Sequence, residues 1–412
     1  MKKILMLLVI FAFAVNAQDS KVPGGDYKAP LKSEIRNGKM IFASDDGKFS
    51  WWFDARIQFD AAMYFENKNP LSNGSLFRRN TFAVKATLWE DWQAEWDIDV
   101  SENVLDLRDM FIKYSFPGTN LSLRAGNFKE PIGMERLNSS RLLTFLERTA
   151  ITNAIALGRR AGFEARYFTD YGQITAAIMG HELGTKIDKG TQDEGFSTNL
   201  RLSLAPINKH GFNLHVGAAG SYKIPEVTAE VGKNGIEINA RTESYVFDPK
   251  FLHTGDILNV NYYNRYGLEL AFITGPLLVY GEWLGTSIYR WDLPTVNLRG
   301  GYATASYMLT GETRYYYVDE GEIGAPEEPK SKWGALELAA RFSYTNLNDI
   351  PAGIKGGMSR QYMFGLNYYP NMNIKLQFNY SILNLDEFAT SKGRLNGDDD
   401  HSFVQMRFQA SL

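Results

Sequence analysis

From Trp51 onward the chain alternates apolar and polar residues with a period of two. Between Trp51 and Ala62, one set is Trp51, Phe53, Ala55, Ile57, Phe59 and Ala61, and the other is Asp54, Arg56, Gln58 and Asp60. Side chains point to opposite faces of a strand in turn, so the segment predicts a strand with one apolar and one wet face. The pattern recurs. Phe82, Val84, Ala86 and Leu88 oppose Arg79, Thr81, Lys85 and Thr87, and Trp92, Ala94, Trp96, Ile98 and Val100 oppose Gln93, Glu95, Asp97 and Asp99. Leu121, Leu123 and Ala125 oppose Ser122 and Arg124. At the C-terminus, Val404, Met406, Phe408, Ala410 and Leu412 oppose Gln405, Arg407, Gln409 and Ser411. About a dozen such dyads in series predict an all-β fold, a transmembrane antiparallel barrel with apolar residues toward lipid and polar residues toward the lumen.

The connections are an independent test, because membrane barrels alternate short turns with longer loops. Short turns are expected at Glu90 and Asp91, Pro117 to Thr119, Asp170 and Tyr171, Ile207 to His210, Gly275 and Pro276, and Pro370 and Asn371. Longer connections fall between them, at Glu66 to Ser75, Ser101 to Leu107, Lys129 to Arg160, His181 to Gly195, Ile224 to Asn259, Trp291 to Val296, Asn346 to Gly356 and Asp386 to Asp400. This spacing gives about sixteen strands, an even number that puts both termini at one end. The connection Gly311 to Lys332 is long where a short turn is due, and Ala240 to Phe247 reads as either an added strand or a structured loop. Trp51, Trp89, Trp92, Trp333, Tyr344, Tyr368 and Tyr380 stand at strand ends, where aromatic girdles meet lipid headgroups.

The N-terminus fits export. Met1, Lys2 and Lys3 precede an apolar run from Ile4 to Val15, followed by Asn16 and Ala17. That predicts a signal peptide over 1–17, the run being shorter than a helical membrane span. Residues 18–48 are turn-rich and read as a periplasmic leader with one short strand at Lys39 to Ala43. The barrel is then 49–412. With no cysteine in the chain, no disulfide framework is available. A mean hydropathy of -0.29 excludes a bundle of membrane helices. The net charge of -3 says little about partners, since selectivity depends on which charges face the lumen. A secreted sandwich or propeller is the competing fold; it lacks the girdle and a fixed repeat.

The connection over 129–160 carries the candidate chemistry. It is arginine-rich (Arg136, Arg141, Arg148) and too apolar to remain in water, with Leu142, Leu143, Phe145, Leu146, Ile151, Ile155 and Leu157. Folded into the barrel, it would narrow the lumen and line it with guanidinium groups, planar donors that suit oxyanions such as phosphate. Ser139 and Ser140 would add hydroxyls, and Arg78, Arg79 and Arg124 would extend a basic track along the wall. The other reading is an external lid whose charges cancel locally, Glu135 with Arg136 and Glu147 with Arg148.

Several segments resemble the phosphate-selective porin O and P family. They are Asp46 to Ser50 leading into Arg56-Ile57-Gln58, then Phe77-Arg78-Arg79, the loop just described, Asn264 to Glu269, Leu309 to Glu312 and Leu336 to Arg341. The resemblance spans nearly all of the chain after the N-terminal run. It implies a sixteen-stranded trimeric porin of the bacterial outer membrane, with an inward third loop carrying cationic and hydroxyl groups at Arg136, Ser139, Ser140, Arg141 and Arg148. It also implies an acidic partner at Arg108 or Asp109. Here arginine stands at loop positions where phosphate-selective members carry lysine, and the wet faces hold many carboxylates (Asp54, Asp60, Glu95, Asp97, Asp99, Glu164, Glu337).

The function expected is passive diffusion of small hydrophilic solutes, anions such as phosphate being favoured. The alternative is a general, sugar- or peptide-permeable pore. The expected partners are outer-membrane lipid, small anions and two further copies of the chain, with no cofactor and no nucleic acid. An outer-membrane enzyme lacks a Gly-x-Ser-x-Gly motif or paired metal-ligand histidines, and an energy-coupled transporter lacks residues for a plug. The run Asn396 to Asp400 is acidic, but lacks the spaced ligands and closing Glu of a Ca²⁺ loop, and reads as a solvated tip.

Overall fold

The structure, a computed structural model, describes residues 29–36, 39–65, 67–101, 105–183, 192–228, 235–246 and 249–412. The expected signal peptide and residues 18–28 lie outside the described residues. Where one strand was expected in the leader there are two, β1 (Leu31–Arg36) and β2 (Lys39–Ser44), forming an antiparallel hairpin whose second strand pairs with β3 (Phe49–Phe65) at Trp51 and Trp52. The barrel runs from β3 through β4 (Gly74–Leu88), β5 (Trp92–Asp99), β6 (Asp106–Ser115), β7 (Leu121–Lys129), β8 (Arg159–Thr169) and β9 (Gly172–Met179). A two-residue β10 (Gln192–Asp193) precedes β11 (Phe196–Lys209) and β12 (Phe212–Ile224). The short strands β13 (Val227–Thr228), β14 (Gly235–Ala240) and β15 (Leu252–Leu258) decorate the next connection, before β16 (Val260–Thr274), β17 (Leu277–Arg290) and β18 (Leu293–Met308). A hairpin, β19 (Arg314–Tyr317) with β20 (Glu322–Pro326), leads to β21 (Ala335–Asp349), β22 (Ile354–Tyr369), β23 (Ile374–Leu385) and β24 (His401–Ser411).

Pairing of β24 with β3, Arg407 opposite Asp60, closes a sixteen-stranded antiparallel barrel. Closure satisfies every edge, which a sheet crossing hydrocarbon requires. The burial pattern is inverted relative to a water-soluble protein. On β16, Leu268 and Leu270 are 60% and 56% exposed on the outside, while Glu269 between them is 3% exposed on the inside. None of the described helices is long and apolar enough to cross a membrane. Trp92, Trp333 and Tyr368 stand exposed near the end that carries the C-terminus.

Several expected connections shift. Trp291 to Val296, expected to be long, is a two-residue turn because β18 already begins at Leu293, and Asn346 to Gly356 shortens to the link between Asp349 and Ile354. Pro206 and Ile207 belong to β11, which has a bulge between Leu204 and Ile207, so the turn falls at His210 and Gly211, where Gly211 has φ of 70°. Residues 241–246 are not an added strand: β14 ends at Ala240 and the chain turns inward. The acidic run near 398 is no solvated tip throughout. Asp399 is fully buried and accepts from the Lys68 amide (2.8 Å) and Asn69 Nδ2 (2.6 Å), fastening two long connections together.

Candidate functional site

Connection 130–158 begins with a buried anchor. Glu130 accepts from Ser197 Oγ (2.8 Å) and Arg265 Nη1 (2.6 Å) on the inner faces of β11 and β16. Gly133, at φ of 80°, turns the chain into α1 (Met134–Leu137), and Thr149 caps α2 (Ala150–Ile155), its Oγ accepting from the Thr152 amide. Short helices of this kind need tertiary packing to persist. They find it on β17 and β18, where Met134, Ile151 and Ile155 share a core with the inward Leu284, Ile288, Val296 and Leu298. Gly300 makes this approach possible, since a Cβ there would lie 2.9 Å from the Ile151 side chain.

The middle of the connection is fixed by polar groups. Backbone oxygens of Leu143, Thr144, Leu146 and Glu147 accept from Lys375, Asn367, Arg407 and Arg341. The Glu147 carboxylate accepts from Arg78 (2.9 Å), Arg79 (3.4 Å) and Arg407 (2.7 Å), and these cations hold its carboxyl well below its ordinary value of 4.5 against the opposing effect of burial. Glu135 accepts from Arg341 (3.1 Å), the Thr149 amide and hydroxyl, and Thr152. The local pairs of the lid reading, Glu135 with Arg136 and Glu147 with Arg148, do not form. Both carboxylates face the wall, and neither arginine reaches either of them. Residues 241–246 reach the same wall: Glu243, at φ of 59°, accepts from Arg341 (2.5 Å) and Ser343 (2.6 Å), and Ser244 meets Tyr64 (2.6 Å).

What is left open is a cavity of about 490 Å³ against β3 to β8. Arg136, Ser139, Ser140, Arg141, Arg148, Arg78, Arg79, Arg124 and Asp109 all line it, with twelve cationic side chains and six carboxylates in total. Two bulges shape this wall. Gln58 pairs with Arg79 and Phe59 with Phe77, so Arg78 is an extra residue and two neighbouring arginines both point inward. Trp96 pairs with Met110 and Ile98 with Leu107, so Asp97 faces both Arg108 and Asp109, and both of these line the cavity.

The lining cations are not equivalent. Arg78 and Arg79 are tied to Glu147. Arg124 pairs with Glu164 (2.6 Å) and stacks on Phe128, Arg141 pairs with Asp54 (3.2 Å), and Asp109 with Arg159 (2.5 Å). The carboxylates of the wet faces are likewise matched: Asp60 with Arg407, Glu95 with Lys85, Asp97 and Asp99 with Arg108, and Glu337 with Arg314. Four of the lining cations, Arg56, Lys129, Arg136 and Arg148, have no carboxylate partner among the described residues. Arg148 donates to the backbone oxygens of Glu135 (2.7 Å) and Asn138 (2.6 Å), and Arg136 to Ala156 O (2.8 Å) and Asn153 Oδ1 (3.2 Å). Lys129 donates to the backbone oxygens of Leu137 and Asn138 (3.2 Å for the latter). Burial and neighbouring Arg136 push Arg148 down to about 9, so it remains a cation at neutral pH. Arg56 donates to Ser140 Oγ (2.5 Å), leaving that hydroxyl's own hydrogen available.

Sequence reading missed Lys129, Arg56 and Arg159 as lining groups. Arg56 was visible as a charged residue on the wet face of β3, but nothing local marked it as opposite the loop. Tyr317, Glu320 and Glu322, from the connection that was too long for a turn, also line the cavity.

Sequence and fold comparisons agree with this architecture. Porin O of Pseudomonas aeruginosa is 23% identical over 408 residues, covering 90% of each chain. In fold, the chain is similar to OmpT of Vibrio cholerae in its in-vitro folded trimer form (TM-score 0.54, 10% identity, 88% of this chain and 99% of that one). It is also similar to the anion-selective porin from Comamonas acidovorans (TM-score 0.52, 12% identity, 88% and 100%). The family described as phosphate-selective porin O and P matches residues 53–411. With a closed sixteen-stranded barrel and a family match spanning that barrel, the chain belongs to the phosphate-selective porin O and P family and is an outer-membrane channel.

Proposed function

We propose that this channel carries small hydrophilic anions passively, oxyanions such as phosphate among them, past a constriction formed by the inward loop and the β3–β8 wall. The observation that carries the proposal is the state of Arg136, Arg148 and Lys129, cavity-lining cations held by neutral oxygens with no carboxylate partner among the described residues. A cation so placed keeps most of its field for a mobile ion, and fixed donors in a narrow, partly dry lumen replace the ion's hydration. Ser139 and Ser140 supply hydroxyls beside it. Arg78, Arg79, Arg124 and Arg141, already paired, extend the positive field without offering a full charge each. The family description and the selectivity of the Comamonas acidovorans porin support the same reading.

The test is ion selectivity in planar bilayers. Under a KCl gradient the zero-current potential is expected to report chloride preference, and added phosphate to reduce the chloride current. Cation preference with no effect of phosphate would remove the proposal. A second reading, a sugar or peptide pore without charge preference, is favoured by Glu95, Asp97 and Asp109, which line the same cavity.

Export by a signal peptide cut after Ala17 is part of the proposal, supported by the apolar run Ile4 to Val15. Assembly as a homotrimer is supported by the trimer form of the OmpT neighbour. Heat-labile migration of the detergent-extracted protein as a trimer tests it.

A further inference from the structure

The connection Leu309 to Gly334 lies at the end of the barrel that carries the C-terminus, where every other described link between barrel strands is short. It does not hang free. Arg201 on β11 donates to the backbone oxygens of Glu320 (2.8 Å) and Gly321 (2.7 Å), and His215 on β12 meets the Tyr316 hydroxyl (2.7 Å). Arg314 at its base pairs with Glu337 (2.8 Å). Gly321, at φ of 62°, lets the tip sit against the β11 wall, where a Cβ would come within 2.3 Å of Ser203 Oγ. The hairpin β19–β20 is thereby held inside the mouth, and Tyr317, Glu320 and Glu322 line the same cavity as the arginines.

The geometry points to a specificity role for this hairpin: Glu320 and Glu322 form an acidic exit filter that opposes anions leaving the basic cavity and limits the channel's anion preference. This rests on the anion-preferring reading above. Neither carboxylate has a hydrogen-bond partner among the described residues, so neither is spent on holding the hairpin in place; the backbone contacts to Arg201 do that. The groups that face Glu322 are Glu320 and Tyr316 on its own hairpin, Lys129 on β7, Arg166 on β8 and Arg201 on β11. Lys113 on β6 faces Glu320 and Asp319. A carboxylate here competes with a mobile anion for the field of Lys129, which has no carboxylate partner among the described residues and which Glu322 and Asp109 both attract. Burial, and Glu320 beside it, push the Glu322 carboxyl up to about 7. The filter is therefore stronger above neutral pH, where Glu322 is charged, than below it.

The experiment measures the zero-current potential under a KCl gradient for the full-length channel and its E320Q, E322Q and double variants. Each is first shown to be folded by its heat-labile migration. Each substitution is expected to raise the anion-to-cation permeability ratio about threefold, the effect of one unit charge at roughly 6 Å in near-aqueous surroundings. In the wild-type channel that ratio is expected to fall as pH rises from 6 to 8, and the fall to shrink in E322Q. Ratios unchanged in all three variants, or lowered, would overturn the filter, as would a pH step of undiminished size in E322Q. If the wild-type channel instead prefers cations, the anion-pore reading fails, whereas an unchanged ratio on an anion-preferring wild-type background condemns the filter alone.

Discussion

Two walls of one barrel are built on the same alternation and do opposite work. The inner face of β17 and β18 presents Leu284, Ile288, Val296 and Leu298, and the adjoining β21 to β24 present Arg341, Asn367, Lys375 and Arg407, each bonded to the loop. The inner face of β3 to β8 presents Arg56, Lys85, Arg108, Arg124 and Arg159 around open space. The loop lies on the first wall because there its apolar side chains are covered and Glu135 and Glu147 meet Arg341 and Arg407. Across the second wall, close packing would bury several guanidinium groups against one another. The lesson is that the position of the opening follows from charge and apolar balance on the two inner faces, with the loop acting as the divider.

The comparison breaks most readily at Glu147, the group that three arginines share. Replacing it with alanine leaves Arg78 and Arg79 without their carboxylate and Arg407 with Asp60 alone, and breaking one partner of a buried ionic cluster costs about 3–5 kcal/mol. The expected outcome of Glu147→Ala is a barrel that melts at lower temperature and conducts more, because the loop loosens from the bolted wall; thermal scans and single-channel conductance check it. Since its carboxyl sits below the ordinary 4.5, Glu147 contributes fully above about that pH. Its contribution fades as acid approaches the lower, folded value, so in an E322Q background conductance is expected to stay constant from pH 7 to 5 and rise only in stronger acid.

On the apolar side of the same wall, Ile151→Ala is expected to destabilise loop docking by about 2–4 kcal/mol, through lost burial and the cavity left above Gly300. Selectivity should change far less than conductance, which a paired measurement of both distinguishes.

On the open wall the effects move to selectivity. Arg148→Glu reverses one unpaired charge, and the anion-to-cation ratio is expected to fall roughly tenfold, twice the single-charge effect on a logarithmic scale. An unchanged zero-current potential would exclude Arg148 from the ion's path. Arg136→Gln removes one charge and should lower the ratio about threefold. Arg124→Gln, at a residue already tied to Glu164, should lower it least of the three.

The barrel was legible because period-two alternation survives wherever both lipid and lumen impose it, as on β16 around Glu269. The count of strands followed from the turns, and misplacing the turn at Ile207 came from a bulge that continues the strand. The cavity was legible in part. The nine residues singled out do line it, but alternation alone would turn Arg78 outward and leaves Arg108 and Asp109 as rivals for one position. Bulges decide both, and a bulge has no reliable signature in one sequence. The destinations of Glu135 and Glu147 were hidden for a different reason: their partners Arg341 and Arg407 lie about two hundred or more residues away in the chain. A cue did exist for the bolted wall. Leu278, Tyr280, Leu284 and Ile288 are apolar on the face of β17 that should be wet, which only makes sense if something covers them.

On the proposed reading, the open wall and the outward-turned arginines of the loop make this an anion-preferring pore. The zero-current potential of the wild-type channel across a planar bilayer in a KCl gradient, before and after adding phosphate, tests it most directly. The account predicts a potential of the sign set by chloride and a chloride current that falls with phosphate. A potential of the opposite sign, with current indifferent to phosphate, would contradict it.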